Sequence, residues 1–238
     1  MVYKNFVRKA FNLIGLDIRK AKPAHNTVWL KSFDIKTVID VGANIGQFAK
    51  DARELYPDAA IHSFEPLPGP YSELLVNTKT FAKFNAYNFA LGDCEGTAEM
   101  YSHDFSQSSS LLEMANSHKR AFPHTKNTTS IAVKIQTLDA IASKLELDTD
   151  ILLKIDVQGS EKQVLDGAKE TLNKVKIIII ETSYISLYKD QPLFADLHNY
   201  LTKLGFRFHG NLGQLLHPIN GSILQGDSIF INYKDNEK

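Results

Sequence analysis

This chain of 238 residues is poor in several things, and each shortage narrows what it can be. It has a single cysteine, Cys94, so no internal disulfide can form, and no Cys/His cluster has the spacing of a zinc site. A disulfide-stapled secreted scaffold is excluded, and a reducing cytoplasm is the expected compartment. It has no excess of either charge: 27 Lys plus Arg balance 27 Asp plus Glu, leaving no net field to gather nucleic acid or anionic lipid. It has no long apolar run. The longest, Ile177 to Ile180, falls far short of the ~20 residues that a membrane-spanning helix needs. Only 13 Gly and 8 Pro are present, which rules out a collagen-like or low-complexity chain and leaves a folded globular protein.

Near the start, Lys4, Arg8 and Lys9 precede an apolar patch at Phe11, Leu13, Ile14 and Leu16. Asn12 and Asp17 interrupt the patch and no small-residue cleavage site follows, so no export signal is expected. Residues Tyr3 to Leu16 do place Phe6, Ala10, Leu13 and Ile14 at helical spacing. Residues 1–30 are therefore expected to form a helical extension whose apolar face covers a core or a partner such as a second copy of the chain, in preference to a membrane surface. One domain is expected over 31–238.

What is present is a rhythm. Thr37-Val38-Ile39-Asp40-Val41 reads as a strand, runs into Gly42, and gives way to a helical pattern from Gln47 to Leu55 that Tyr56-Pro57 stops. Ala60 to Phe64 reads as a second strand, Pro70 to Lys79 as a helix and Asn85 to Leu91 as a third strand. Thr97 to Ser102 and Ile131 to Leu138 read as an added hairpin. Ile151 to Val157, the helix Glu161 to Leu172, and Val175 to Glu181 resume the alternation, with strands apolar enough to be buried on both faces. Phe194 to Leu204 is helical, and Phe206 to Phe208 and Ser228 to Asn232 close the pattern. Such alternation predicts an α/β fold with a doubly wound parallel sheet and an antiparallel last strand. Residues 102–130, rich in Ser, Asn, His and Thr, read as a lid or insertion.

In open α/β sheets, ligands bind at the carboxyl ends of the strands. Here those ends carry Asp40 to Gly46, Glu65, Leu91 to Asp93, Asp156 and Glu181. Acids at strand mouths are not demanded by packing, and they suit a polyhydroxylated or cationic ligand. The turn Asp40-Val41-Gly42-Ala43-Asn44-Ile45-Gly46 departs from a dinucleotide fingerprint, which needs Gly where this chain has Asn44 and Gln47. No triphosphate-binding GxxxxGK[ST] occurs. Asp40, two residues before Gly42, suits a positively charged cofactor or caps the turn. Glu65, at the end of the second strand, is placed to accept both hydroxyls of a ribose.

The turn Asp40 to Phe48, then Phe64-Glu65-Pro66, then Ala90-Leu91-Gly92-Asp93, then Lys154-Ile155-Asp156-Val157-Gln158-Gly159-Ser160-Glu161 with Val164-Leu165-Asp166-Gly167-Ala168 resembles the FkbM-type methyltransferases. The resemblance runs from about Lys36 to Tyr233. It implies a Rossmann-like seven-stranded sheet of the S-adenosylmethionine-dependent type and methylation of hydroxyl oxygens, often on sugars or polyketide natural products. It implies that Gly42, Ala43, Asn44 and Gly46 hold the methionine part of S-adenosylmethionine and Glu65, beside Pro66, its ribose. Ala90 and Leu91 would border the adenine, and Asp93 would reach the adenine edge or simply serve turn chemistry. The family usually has Glu where this chain has Gln158, so no role for a negative charge carries over there.

An in-line methyl transfer needs positioning and removal of the acceptor proton. Asp156 ends the fourth strand of the rhythm and is expected to take that proton or to orient cofactor and acceptor. Lys154 lies on the same side of that strand and steers an oxyanion, tunes Asp156, or forms an internal ion pair with Asp156 or Glu161. Glu161 and Glu181 could meet Asp156 around a hard cation such as Mg²⁺, but carboxylate proximity alone assigns no metal ligand. His118 and His124 in the insertion are alternative bases, Ser108, Ser109 and Ser110 candidate contacts for acceptor hydroxyls, and Tyr184 and Tyr188 either stack on a sugar or share a helix face. The leading reading is an S-adenosylmethionine-dependent O-methyltransferase of a small-molecule or glycan hydroxyl. An NAD-linked sugar oxidoreductase or epimerase shares the sheet and Glu65 but lacks the glycines, and a catalytically inactive cofactor-binding module predicts binding without turnover.

Overall fold

The computed structural model describes residues 25–103, 110–112, 115, 128–145 and 147–233. The chain divides at Ser32/Phe33 into two compact units. Of the first, the described part is a 3₁₀ helix, His25–Ser32. The helix expected over Tyr3 to Leu16 lies outside the described residues, as do Ser108, Ser109, His118 and His124. No described helix is long and apolar enough to cross a membrane.

The second unit is built on a seven-stranded sheet of order β3 (Phe84–Tyr87), β2 (Ala60–Phe64), β1 (Thr37–Val41), β7 (Ile151–Ile155), β8 (Val175–Ser183), β10 (Ile223–Asn232), β9 (Phe206–Leu216). Its parallel strands are β1, β2, β3, β7 and β8. The closing strands are β9 and β10, and β10 runs antiparallel to both β8 and β9. β1 and β7 are buried along their whole length, which is why both are mostly apolar, with Asp40 and Lys154 as the charged exceptions.

Two departures from the expected elements have physical causes. The stretch read as one strand, Asn85 to Leu91, is two: β3 stays in the main sheet, while β4 (Ala90–Leu91) pairs with β6 (Thr128–Gln136). The break falls at Asn88, whose side-chain amide donates to the carbonyls of Glu65 (2.9 Å) and Pro66 (3.0 Å) and so turns the chain out of the ladder. With β5 (Gly96–His103), antiparallel to β6, these strands form a small second sheet. The helix expected over Glu161 to Leu172 is only α4 (Glu161–Asp166). Gly167 ends it, packed so tightly that a Cβ there would run into the carbonyl oxygen of Gly92.

The remaining helices are α1 (Gln47–Leu55), α2 (Pro68–Asn77, with Pro at its start where a missing N–H costs nothing), α3 (Leu138–Ala142) and α5 (Phe194–Lys203). One face of the sheet (Ile39, Val41, Ile151, Leu153, Ile155, Ile178, Ile180) packs with Leu138 and Ile141 of α3, Val164 and Leu165 of α4, and Leu197 and Leu201 of α5. Because side chains alternate along a strand, Asp40, Lys154 and Glu181 belong to the opposite face.

Candidate active site

Sheet order alone locates the site. From β1 the chain moves outward through β2 and β3, then returns to place β7 on the other side of β1, so the order reverses between β1 and β7. Crevices open at such reversals, beyond the carboxyl ends of the strands. The register then aligns the polar residues: Asp40 stands beside Ser63 and Lys154, and Glu181 beside Asp227.

The turn after β1 is held from below. The N–H groups of Gly42 and Ala43 both donate to the Phe64 carbonyl at 3.0 Å, and the Asp156 N–H donates to the Val41 carbonyl at 3.0 Å. Gly42 (φ 80°), Asn44 (φ 48°) and Gly46 (φ 92°) all lie in the left-handed region. Gly46 caps α1, and a Cβ on it would press Leu74. Asn44 tolerates φ > 0 because its side-chain oxygen accepts the Ile45 N–H at 2.9 Å.

Glu65 is buried under this turn, at 4% exposure. Its Oε2 accepts the Asn44 N–H at 2.8 Å and its Oε1 the Leu67 N–H at 2.9 Å. Burial pushes its pKa up to about 6, with the two backbone donors opposing the shift. Asp40, 1% exposed, accepts the Ser63 hydroxyl at 3.2 Å and sits below the turn; burial raises its pKa to about 7 against the pull of Lys154. Pro66 follows Glu65 into α2. Ala90 and Leu91 are buried in β4, and Asp93 is exposed just beyond them.

At the mouth of β7 the chemistry is denser. Lys154, 7% exposed, donates to Asp156 at 3.3 Å and to Asp227 at 3.0 Å. Burial alone would lower its pKa, but Asp156, Asp227 and Glu181 outweigh that and keep it raised, so it is a cation. The ion-pair reading for Lys154 holds for Asp156, while its second partner is Asp227 rather than Glu161. Glu161 instead accepts the Gly159 N–H at 2.9 Å, and burial raises its pKa to about 7. Glu181 is half-buried beside Asp156 and Glu161, and desolvation together with those two acids pushes its pKa well above the usual carboxylate range. Asp156 and Glu181 meet through an amide: Gln158 Nε2 donates to Asp156 at 2.9 Å and to Glu181 at 2.8 Å. Gln225 Nε2 adds a second donor to Glu181 at 2.8 Å. Among the described residues no group of three or more His, Cys, Asp or Glu side chains is arranged to hold a metal ion.

Tyr184 and Tyr188 do not share a helix face. Tyr188 is fully buried and donates to Gln158 Oε1 at 2.8 Å; Tyr184 accepts from Asn211 at 2.7 Å and lies against Phe194. Ser110 is buried and donates to the Gln158 carbonyl at 2.5 Å. Sequence reasoning missed Asp227 and Gln225. Their alternation in Ile223–Asn232 is visible, but only the antiparallel register with β8 brings them to Glu181 and Lys154.

The arrangement is a largely buried acidic crevice with Lys154 fixed among its acids and a left-handed turn, Gly42 to Gly46, at its edge. The family model for the methyltransferase FkbM domain matches residues 40–208, which run from Asp40 in β1 to Phe208 in β9. The chain is 29% identical over 168 residues to the 2-O-methyltransferase NoeI of Sinorhizobium fredii (strain NBRC 101917 / NGR234), covering 67% of this chain and 69% of that protein. It is 25% identical over 188 residues to Methyltransferase 1 of Beauveria bassiana (strain ARSEF 2860), covering 73% of each. It is 27% identical over 157 residues to the 31-O-demethyl-FK506 methyltransferase FkbM of Streptomyces tacrolimicus, covering 56% of this chain and 59% of that one. With more than half its length matched by that model, and with Asp40, Glu65, Asp156 and Glu181 inside the match, the chain belongs to the FkbM methyltransferase family.

Proposed function

We propose that this chain transfers the methyl group of S-adenosylmethionine to a hydroxyl oxygen of a small molecule, sugar or glycan. The observation that carries the reading is the convergence of Glu65, Asp40, Asp156 and the left-handed turn 42–46 at the β1/β7 reversal, in a member of this family. S-adenosylmethionine supplies an electrophilic methyl on a positively charged sulfonium.

The residues fit such a group. Each Glu65 oxygen takes one backbone N–H and keeps a lone pair for a ribose hydroxyl. Gly42, Ala43, Asn44 and Gly46 present main chain to the methionine part, and Asp40 below them contributes negative charge toward its amine. Ala90 and Leu91 supply an apolar border for adenine, with Pro66 and Asp93 flanking it.

Asp156, with its side chain 35% exposed, is the acid that meets the acceptor. It accepts the hydroxyl proton or turns the hydroxyl toward the methyl, while Lys154 holds its carboxylate from behind. Glu161 fixes the turn that follows β7, and Glu181 supports Asp156 through Gln158. No metal is part of the proposal, because the Gln158 amide occupies the place between the two carboxylates. A hydroxylated small molecule or glycan, rather than nucleic acid, is the acceptor that the balanced charge favours. The names of two relatives, a 2-O-methyltransferase and a 31-O-demethyl-FK506 methyltransferase, point to oxygen as the accepting atom.

Calorimetric titration with S-adenosylhomocysteine and, in parallel, with NAD tests the cofactor assignment. Binding of S-adenosylhomocysteine alone, lost in Glu65→Ala, is the expected result. NAD binding instead overturns the reading, and binding without turnover on any acceptor favours an inactive cofactor-binding module.

A further inference from the structure

Gln158 is the most heavily committed side chain of the crevice. Both donor bonds of its amide nitrogen go to acids, Asp156 at the mouth of β7 and Glu181 on β8. Its amide oxygen accepts from Tyr188, whose hydroxyl burial keeps protonated and so available as a donor. An amide seated between two carboxylates can work only one way round: flipped, its oxygen would face both acids and its N–H groups would face a hydroxyl.

The backbone is equally constrained. Gln158 has φ 55°, a conformation that a non-glycine residue holds only when its surroundings enforce it, and Gly159 follows at φ 107°. Those surroundings include the insertion. Ser110 donates to the Gln158 carbonyl, the Leu112 N–H donates to Ser110 Oγ at 2.9 Å, and the Ala115 N–H donates to the Leu187 carbonyl at 2.8 Å. Leu112 packs with Leu187, Tyr188 and Leu224. A Cβ on Gly159 would press Leu112 and Tyr188 at 3.1 and 3.2 Å. One residue thus joins the insertion through its backbone and the catalytic acid through its side chain.

We propose that Gln158 is a positioning residue: its amide, turned by the Tyr188 hydroxyl and seated by Ser110, holds the Asp156 and Glu181 carboxylates together in the geometry that methyl transfer needs. The proposal rests on the methyltransferase reading for its catalytic meaning, but its geometry is testable without an acceptor. An amide is the one planar side chain of this shape that bridges two acids without titrating. A Glu at 158 would add a carboxylate among Asp156, Glu181, Glu161 and Asp227 with Lys154 as the facing cation, and it would hold its place only by taking up a proton. A raised carboxyl pKa in the folded state means that its favourable contribution is complete below the unfolded pKa and is lost as pH rises through the folded one.

The test uses the full chain and three variants. In Gln158→Glu the thermal midpoint should lie close to the parent's at pH 5 and fall progressively behind it toward pH 8. The side-chain amide protons of Gln158, identified by their loss in Gln158→Glu, should resonate downfield in the parent and shift to ordinary glutamine positions in Tyr188→Phe. Ser110→Ala should shift them less. In methyl transfer, Tyr188→Phe should lower kcat about tenfold at unchanged KM, the weight of one well-placed hydrogen bond. A stability deficit of Gln158→Glu that is the same at every pH, or amide protons indifferent to Tyr188→Phe, would overturn the proposal. Failure of the parent to bind S-adenosylhomocysteine would instead overturn the methyltransferase reading and leave the amide measurements to be judged separately.

Discussion

Gly42 and Asp156 stand so close that no side chain fits between them: a Cβ on Gly42 would run into the backbone carbonyl oxygen of Asp156. The mouths of β1 and β7 are therefore closed on one another by the absence of a methyl group. The Asp156 N–H donates to the Val41 carbonyl at 3.0 Å across the same gap. That closeness brings the turn proposed to hold the cofactor and Asp156, the acid proposed to meet the acceptor, into one crevice.

Gly42→Ala tests the contact. At φ 80° an alanine adds backbone strain of about 1–3 kcal/mol to the collision, and the collision is with main chain that cannot rotate away. Urea denaturation should show a loss of at least about 2 kcal/mol, and titration should show S-adenosylhomocysteine binding abolished.

Glu65 should make cofactor binding pH-dependent. Its carboxyl is pushed up to about 6, and ribose hydroxyls donate best to the ionised form. Affinity for S-adenosylhomocysteine is expected to rise between pH 5 and 7 and then level off. Glu65→Gln should flatten that profile and weaken binding by about ten- to a hundredfold at pH 8, in line with a lost hydrogen bond to a charged group.

Asp40 should destabilise the fold as pH rises. Its folded pKa, about 7, lies above the unfolded value, so folding favours the protonated form. Its contribution is complete below about pH 4 and is lost as pH climbs through 7. Asp40→Asn keeps an acceptor for Ser63 and removes the buried charge. Thermal melts should show the variant gaining on the parent at pH 8 and not at pH 5.

Lys154→Met should leave two carboxylates facing each other without their cation. Both are partly solvated, with Asp156 35% and Asp227 39% exposed at the side chain, so the expected loss is about 1–3 kcal/mol rather than that of a fully buried pair. Adding Asp227→Asn should recover part of it in denaturation experiments.

The parallel half of the sheet is legible in the sequence because its strands are buried on both faces, and burial writes itself as predominantly apolar stretches such as Ile177 to Ile180 and Ile151 to Ile155, the latter broken at Lys154. The strand-end acids are legible for the opposite reason: packing does not ask for Asp40, Glu65, Asp156 or Glu181, so their presence is a signal. The split of Asn85 to Leu91 is hidden, because it depends on Asn88 reaching back to Glu65 and Pro66. So is the pairing of Lys154 with Asp227, 73 positions apart, which only the antiparallel register of β10 against β8 creates. The length of β9 is underestimated from Phe206 to Phe208 because its outer half is exposed and carries no periodic apolar pattern.

The most direct measurement is transfer from S-adenosylmethionine bearing a deuterated methyl to a panel of sugars, oligosaccharides and polyketide alcohols, read by mass spectrometry with fragment assignment of the labelled atom. The expected result is one deuterated methyl on a hydroxyl oxygen of a panel member, abolished in Asp156→Asn while S-adenosylhomocysteine binding is retained. A label found on nitrogen or carbon, or full turnover in Asp156→Asn, would contradict O-methylation through Asp156.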